Sequence, residues 1–252
     1  MSEPTSSEST AATLAYPVTP ADHRWRRLPP RTEGWAYAWT GAVLLIVAGI
    51  LALLVLGAED GLDASDLPIN QWFYDQAHAH AALEAFGRQF QVIGSGNVTT
   101  PLALAFGVVL ALFRRWRWLA LFATSAIGGL LISETLKHVI ARERPTWPDP
   151  FFFEKGYSFP SGHTLSGVTT WVAMGVVVLF VLPRPWSSIL GVVLVGVGVA
   201  MGPSRLFLAV HWVSDVMAGW LLGFGWLLLV AGVYLTRWGP TSDDDDHDDE
   251  GG

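Results

Sequence analysis

Cysteine is absent from the 252 residues. That excludes disulfides, thiolate nucleophiles and cysteine metal sites. Charge is scarce as well: charged residues make up 15% of the chain, against roughly 25% in soluble domains. The formal net charge is −7, but residues 243–250 alone hold seven acids. Removing them leaves 22 − 7 = 15 acidic residues against 15 basic ones. A neutral body without a basic surface excludes nucleic-acid binding. The first 34 residues contain no apolar run, so they offer neither a signal-peptide core nor anything to bury.

What the chain has is apolar length, with hydrophobic residues at 51%. Runs of about 20 apolar residues can span a bilayer as helices. Six are legible: 35–57, 94–113, 118–140, 162–182, 186–201 (or on to 206) and 210–235. The expected fold is all-α, a polytopic membrane protein of six transmembrane helices. Residues 1–34 read as a disordered tail, 35–238 as the membrane domain and 239–252 as a disordered acidic tail. Between the first two spans, Ile69, Trp72, Phe73, Gln76 and Ala77 approximate one apolar helix face. Residues 58–93 therefore read as an amphipathic segment lying on the bilayer surface. An ordinary loop packed on the bundle is the alternative.

Six spans put both termini on one side. Nine arginines fall there: Arg24, Arg26, Arg27, Arg31, Arg114, Arg115, Arg117, Arg184 and Arg237. The other side has Arg88, Lys137, Arg142, Arg144, Lys155 and Arg205, three of which belong to polar clusters. The bias predicts cytoplasmic termini in a cell membrane and polar clusters on the extracytoplasmic face.

Three polar clusters lie at the ends of apolar runs. Lys137 and Arg144-Pro145 bring two cations toward one place, Pro145 ending the helix before Arg144. One such lysine alone reads as snorkelling to the interface. Two cations at a membrane boundary ask for an anion. Ser161-Gly162-His163 opens the next helix, offering backbone N–H groups, a hydroxyl and an imidazole. His211 and Asp215, four residues apart, share a helix face, so the carboxylate can fix the imidazole tautomer. Arg205 adds a third cation.

Together these groups suit phosphoryl transfer. Lys137, Arg144 and Arg205 would neutralise the phosphate oxygens, helped by Ser161 and the Gly162 N–H. His211 would attack phosphorus and Asp215 would orient it. His163 would protonate the leaving oxygen, then activate water against the phosphohistidine. With three fixed cations, no metal or other cofactor is expected.

At these residues the chain resembles the type 2 phosphatidic acid phosphatase superfamily. The resemblance rests on Lys137-x6-Arg144-Pro145, Pro160-Ser161-Gly162-His163 and Ser204-Arg205-x5-His211-x3-Asp215. It implies a six-helix lipid phosphatase with the roles above, His211 being the nucleophile, and covers about residues 58–236. Family substrates include prenyl pyrophosphates, phosphatidic acid and phosphatidylglycerol phosphate. An outward site favours undecaprenyl pyrophosphate, a carrier released there during cell-wall assembly. Phosphatidic acid and phosphatidylglycerol phosphate stand as alternatives. Vanadate-dependent peroxidase chemistry, known on the same anion pocket, fits six apolar spans poorly. A non-catalytic lipid-phosphate binder fits poorly with both histidines present. His78, His80 and His138 lack metal-site spacing. Glu134 can pair with Lys137. Arg142 and Glu143 either line the pocket mouth or are solvated.

Overall fold

A computed structural model describes residues 28–57 and 62–239. Most of both polar tails lies outside the described residues, and with it the expectation of disorder there. The described residues form eight helices and no strand: α1 Arg31–Gly57, α2 Asp63–Ala79, α3 Ala81–Ile93, α4 Gly96–Leu112, α5 Trp116–Ile140, α6 Gly162–Val181, α7 Trp186–Phe207 and α8 Val213–Trp238. α1 begins at Arg31, inside the segment expected to be tail.

Five helices are long and apolar enough to cross a membrane. A sixth crossing exists if α3 and α4, which meet at a 52° bend, count as one broken span. α4 alone has 17 residues, short of the roughly 20 that a bilayer core requires. A crossing of that length would have to draw on α3, which lies within the segment expected at the interface. Leu104, Leu130 and Val192 are 66%, 62% and 68% exposed. Large apolar side chains exposed in this number suit lipid and not water. The fold is that of a multi-pass membrane protein.

α1 packs along α8. Its buried stripe is Gly34, Gly41, Ala48 and Val55, each seven residues from the last. Small residues let the two backbones approach closely; a methyl on Gly41 would meet the Gly225 carbonyl oxygen at 2.6 Å. Gly34 lies against Gly232 and Gly41 against Gly225, so the pair is antiparallel. Arg31 Nε donates to the Gly239 carbonyl at 2.6 Å, joining the two ends of the described chain.

α6 is the central helix. It packs on α5, α7 and α8 and buries Val168, Ala173 and Val177 completely. A π turn over Gly167–Val172 breaks its regular pitch one turn beyond Ser161-Gly162-His163. Helix direction then decides the site. The end of α5, the start of α6, the end of α7 and the start of α8 meet at the end of the bundle opposite Arg31 and Gly239.

Candidate active site

α5 stops at Ile140, where Ala141 adopts the left-handed conformation at φ 49°. The helix therefore ends before Arg144, as Pro145 predicts. Arg144 reaches the site from the irregular segment after α5. Carbonyls hold its guanidinium, Nε donating to Gly156 at 2.9 Å, Nη1 to Val210 at 2.8 Å and Nη2 to Tyr157 at 3.1 Å. Nη1 also lies 3.1 Å from His211 Nε2. A guanidinium only donates, so Nε2 carries the lone pair and the ring proton sits on Nδ1.

His211 Nδ1 is 3.4 Å from Asp215 Oδ2. The two do not share a helix face, because His211 precedes α8. Asp215 folds back over the helix start, and Oδ2 also accepts the Trp212 backbone N–H at 2.9 Å. Such a carboxylate satisfies an otherwise orphan N–H of the first turn. His211 is 1% exposed and Asp215 fully buried.

Ser161 precedes the first residue of α6, as expected. Its N–H donates to the Asp215 carbonyl at 3.1 Å, tying the second cluster to the third. Its Oγ accepts from Thr164 Oγ1 at 2.9 Å, which leaves its own proton free to donate. Gly162 matters through space: a methyl there would stand 3.2 Å from Lys137 Nζ. Lys137 pairs with Glu134 at 3.3 Å. His163 Nε2 is 3.3 Å from the Gln91 carbonyl. A carbonyl only accepts, so Nε2 bears the proton there. Arg205 is fully buried; Nη1 donates to the Gln91 side chain and Nη2 to Glu154, while Nε has no partner among the described residues.

All eight expected site residues thus gather at one end of the bundle. Glu154 was not anticipated. Its carboxylate pairs with Arg205 and stands 3.5 Å from Arg144 Nη2. It comes from the segment between α5 and α6, and no spacing rule marks it. Arg142 is neither at a pocket mouth nor solvated. It is 8% exposed, and its guanidinium lies between α2 and Asp215. Glu143 is exposed, and its carbonyl accepts from Trp212 Nε1 at 3.0 Å. His78 lies 3.7 Å from Asp149, and His138 Nδ1 meets the Glu134 carbonyl. Among the described residues no three His, Asp or Glu side chains are placed to hold a metal ion.

The charges outside the spans follow from these contacts. Burial opposes the Glu154 carboxylate, yet Arg205, His211 and Arg144 outweigh it and hold its pKa at about 2. Burial pushes His211 well below the ordinary 6.5, and the Arg144 cation adds to this. Burial also lowers Arg144, against the pull of Glu154. Arg142 moves the other way: burial opposes its charge, but Asp215, Asp63 and Asp66 raise it. A lowered histidine pKa means the unfolded chain takes up a proton that the native chain refuses. Thermal stability should therefore begin to fall as pH drops through 6.5. The Glu154 contribution should follow as pH drops from 4.5 toward 2. In a thermal melt series, His211→Asn should shrink the first decline and leave the second.

From this cluster an apolar cavity of about 630 Å³ runs between α4, α5 and α6. Ala103, Phe122, Ala126 and Leu130 line its length, and Lys137, Glu154, Gly162 and His163 close one end.

Cations and a carboxylate-backed imidazole thus stand beside an apolar groove inside a membrane bundle. Residues 117–238 match the PAP2 superfamily. The chain is 28% identical over 210 residues to an undecaprenyl-diphosphatase of Sulfolobus acidocaldarius, covering 81% of this chain and 93% of that one. It is 29% identical over 143 residues to phosphatidylglycerophosphatase B of Bacillus subtilis, covering 56% and 70%. A lipid A 1-phosphatase of Rhizobium johnstonii is 28% identical over 86% of this chain and 88% of its own. The crystal structure of a transmembrane PAP2-type phosphatidylglycerolphosphate phosphatase from Bacillus subtilis superposes with a TM-score of 0.63. That match is 23% identical and covers 77% of this chain and 96% of the other.

Proposed function

We propose that this chain is a membrane lipid phosphatase that cleaves a phosphate or pyrophosphate monoester through a phosphohistidine on His211. The carrying observation is the Nε2 lone pair of His211, fixed by Arg144 on one side and Asp215 on the other, with Arg144 in turn beside Glu154, a lining residue of the apolar groove.

In this scheme the lipid chain lies in the groove and its phosphate meets Arg144, Arg205 and Lys137. Buried cations act strongly on charge that moves in the transition state. The His211 Nε2 lone pair attacks phosphorus as the bond to the leaving oxygen breaks. His163, entering the step as the imidazolium, gives a proton to that oxygen and is left neutral. Asp215 stabilises the imidazolium portion of the phosphohistidine. Water then attacks phosphorus, His163 takes its proton, the P–N bond breaks and inorganic phosphate leaves. Three fixed cations supply the charge that a divalent ion supplies elsewhere, so turnover should persist in EDTA.

Undecaprenyl pyrophosphate is the leading substrate. An extracytoplasmic site, argued from the nine arginines on the opposite side, and the likeness to an undecaprenyl-diphosphatase support it. Phosphatidylglycerol phosphate and phosphatidic acid are the second reading, favoured by the likeness to phosphatidylglycerophosphatase B. The test is phosphate release by detergent-purified protein in EDTA. The panel holds undecaprenyl pyrophosphate, both phospholipids, a lipid A 1-phosphate and a soluble sugar phosphate. Preference for the pyrophosphate supports the first reading. Loss with EDTA that Mg²⁺ restores contradicts the metal-free scheme.

Glu154 bears on the same scheme, since substrate phosphate must displace its carboxylate from Arg205 and Arg144. Glu154→Gln keeps the shape and removes the competing charge. The variant should be inhibited several-fold more strongly by inorganic phosphate. Weaker inhibition would show that Glu154 helps to hold the anion.

A further inference from the structure

Asp63, Asp66 and Asn70 fall on one face of α2, at spacings of three and four. That face turns away from solvent: Asp66 is 6% exposed and Asn70 fully buried. Acids on a peripheral helix, buried against a membrane bundle, require partners. Arg142 supplies them. Its Nη2 donates to Asp63 Oδ1 at 2.6 Å and to Asp66 Oδ2 at 2.9 Å, and its Nε to Asp63 Oδ1 at 3.2 Å. Its Nη1 donates to Ser214 Oγ and to Asp215 Oδ1, both at 2.7 Å. All five N–H groups of the guanidinium are thus used.

The consequence reaches His211. With Oδ1 of Asp215 taken by Arg142, Oδ2 is left for the Trp212 N–H and His211 Nδ1. The plane of the carboxylate, and so the aim of the imidazole, is set by a guanidinium that α2 holds from behind. α2 grips the same loop a second time. Asn70 Nδ2 donates to the His211 carbonyl at 2.8 Å, and its Oδ1 accepts the Val213 N–H at 3.0 Å. Ser214 bonds to Asp66 through both its N–H and its hydroxyl.

We propose that Arg142, anchored on Asp63 and Asp66 of α2, is the positioning residue of the His211–Asp215 pair. Arg142 faces away from the phosphate: its five bonds go to α2 and the start of α8 and none to the groove. It therefore serves the transfer step and not substrate affinity. This rests on the phosphatase reading above, since positioning matters only if His211 attacks.

The test uses full-length, detergent-purified protein and the best substrate of the panel. Arg142→Gln loses the cation and both arms of the fork. A displaced nucleophile of this kind costs about 100-fold in kcat. KM and the inhibition constant of inorganic phosphate should stay within about twofold, because Arg144, Arg205 and Lys137 are untouched. Arg142→Lys keeps the charge, but one ammonium cannot bridge α2 and Asp215 together. Its kcat should fall between wild type and Arg142→Gln. Should Arg142→Gln not fold, Arg142→Lys and Asp66→Asn carry the test, each lowering kcat at unchanged KM. In a His211→Ala background, Arg142→Gln should bring no further loss, as for residues acting as one unit.

Retention of full kcat in the folded variants overturns the proposal. So does an equal loss of phosphate affinity, which would make Arg142 part of the binding site. Wild type and His211→Ala are run in the same preparation. An inactive wild type would overturn the phosphatase reading and this proposal together, whereas an active wild type with unimpaired Arg142 variants overturns this proposal alone.

Discussion

His211→Ala should lower kcat by about 10⁴-fold or more, the scale seen when a nucleophile is removed from a cooperating set. The protein should still fold and still bind inorganic phosphate. Folding survives because Asp215 keeps two of its partners, Arg142 Nη1 and the Trp212 N–H. No buried carboxylate is left unsatisfied, so the main cost of such a deletion is avoided. Phosphate binding survives because Arg144, Arg205 and Lys137 remain. Arg144 also loses its contact to the Nε2 lone pair and is freed to turn toward the anion. Calorimetric titration with inorganic phosphate, run beside a turnover assay, checks both halves. Appreciable turnover in the variant would remove His211 from the nucleophile role.

Arg205→Lys should cost about 10²–10³-fold in kcat/KM, comparable to the loss of one preorganised transition-state donor. The change is conservative in charge only. The Arg205 guanidinium reaches Gln91 and Glu154 through separate nitrogens and keeps Nε free for a third acceptor. An ammonium is a point charge and cannot serve three directions in a fixed fork. The site is buried, so water cannot repair the missing bonds. Arg205→Lys should also loosen Glu154, which would then rest on Arg144 alone among the cations it now pairs with. Steady-state kinetics across the lipid panel check this; a loss below tenfold would mean that Arg205 is structural.

The site was legible in the sequence where chemistry is carried by residue type at fixed spacing. Lys137, Arg144, Ser161, Gly162, His163, Arg205, His211 and Asp215 come together because four helix ends meet, and apolar run lengths announce helix ends. What the sequence hid is longer in range. Glu154 sits nine residues before His163 in an irregular segment, where no periodicity says which way a side chain turns. Arg142 and Asp66 are 76 residues apart, and each reads alone as an ordinary surface charge. Only packing of α2 against the start of α8 makes them partners. The geometry of the histidine–aspartate pair was likewise not available from spacing. Four residues fit a helix face, but the first-turn N–H groups of α8 draw Asp215 into a capping position instead. Residues 94–113 show the limit of run length: a continuous apolar stretch does not reveal that α3 and α4 bend against each other by 52°.

Covalent chemistry at His211 is read out by rapid quench with a substrate bearing labelled terminal phosphate. Wild-type protein stopped in the steady state should carry label that is acid-labile and base-stable, as a phosphoramidate is, on the peptide containing His211. His163→Ala should accumulate more of it, because the water that clears it goes unactivated. Turnover without any labelled protein, or label persisting in His211→Ala, would rule out a phosphohistidine on His211.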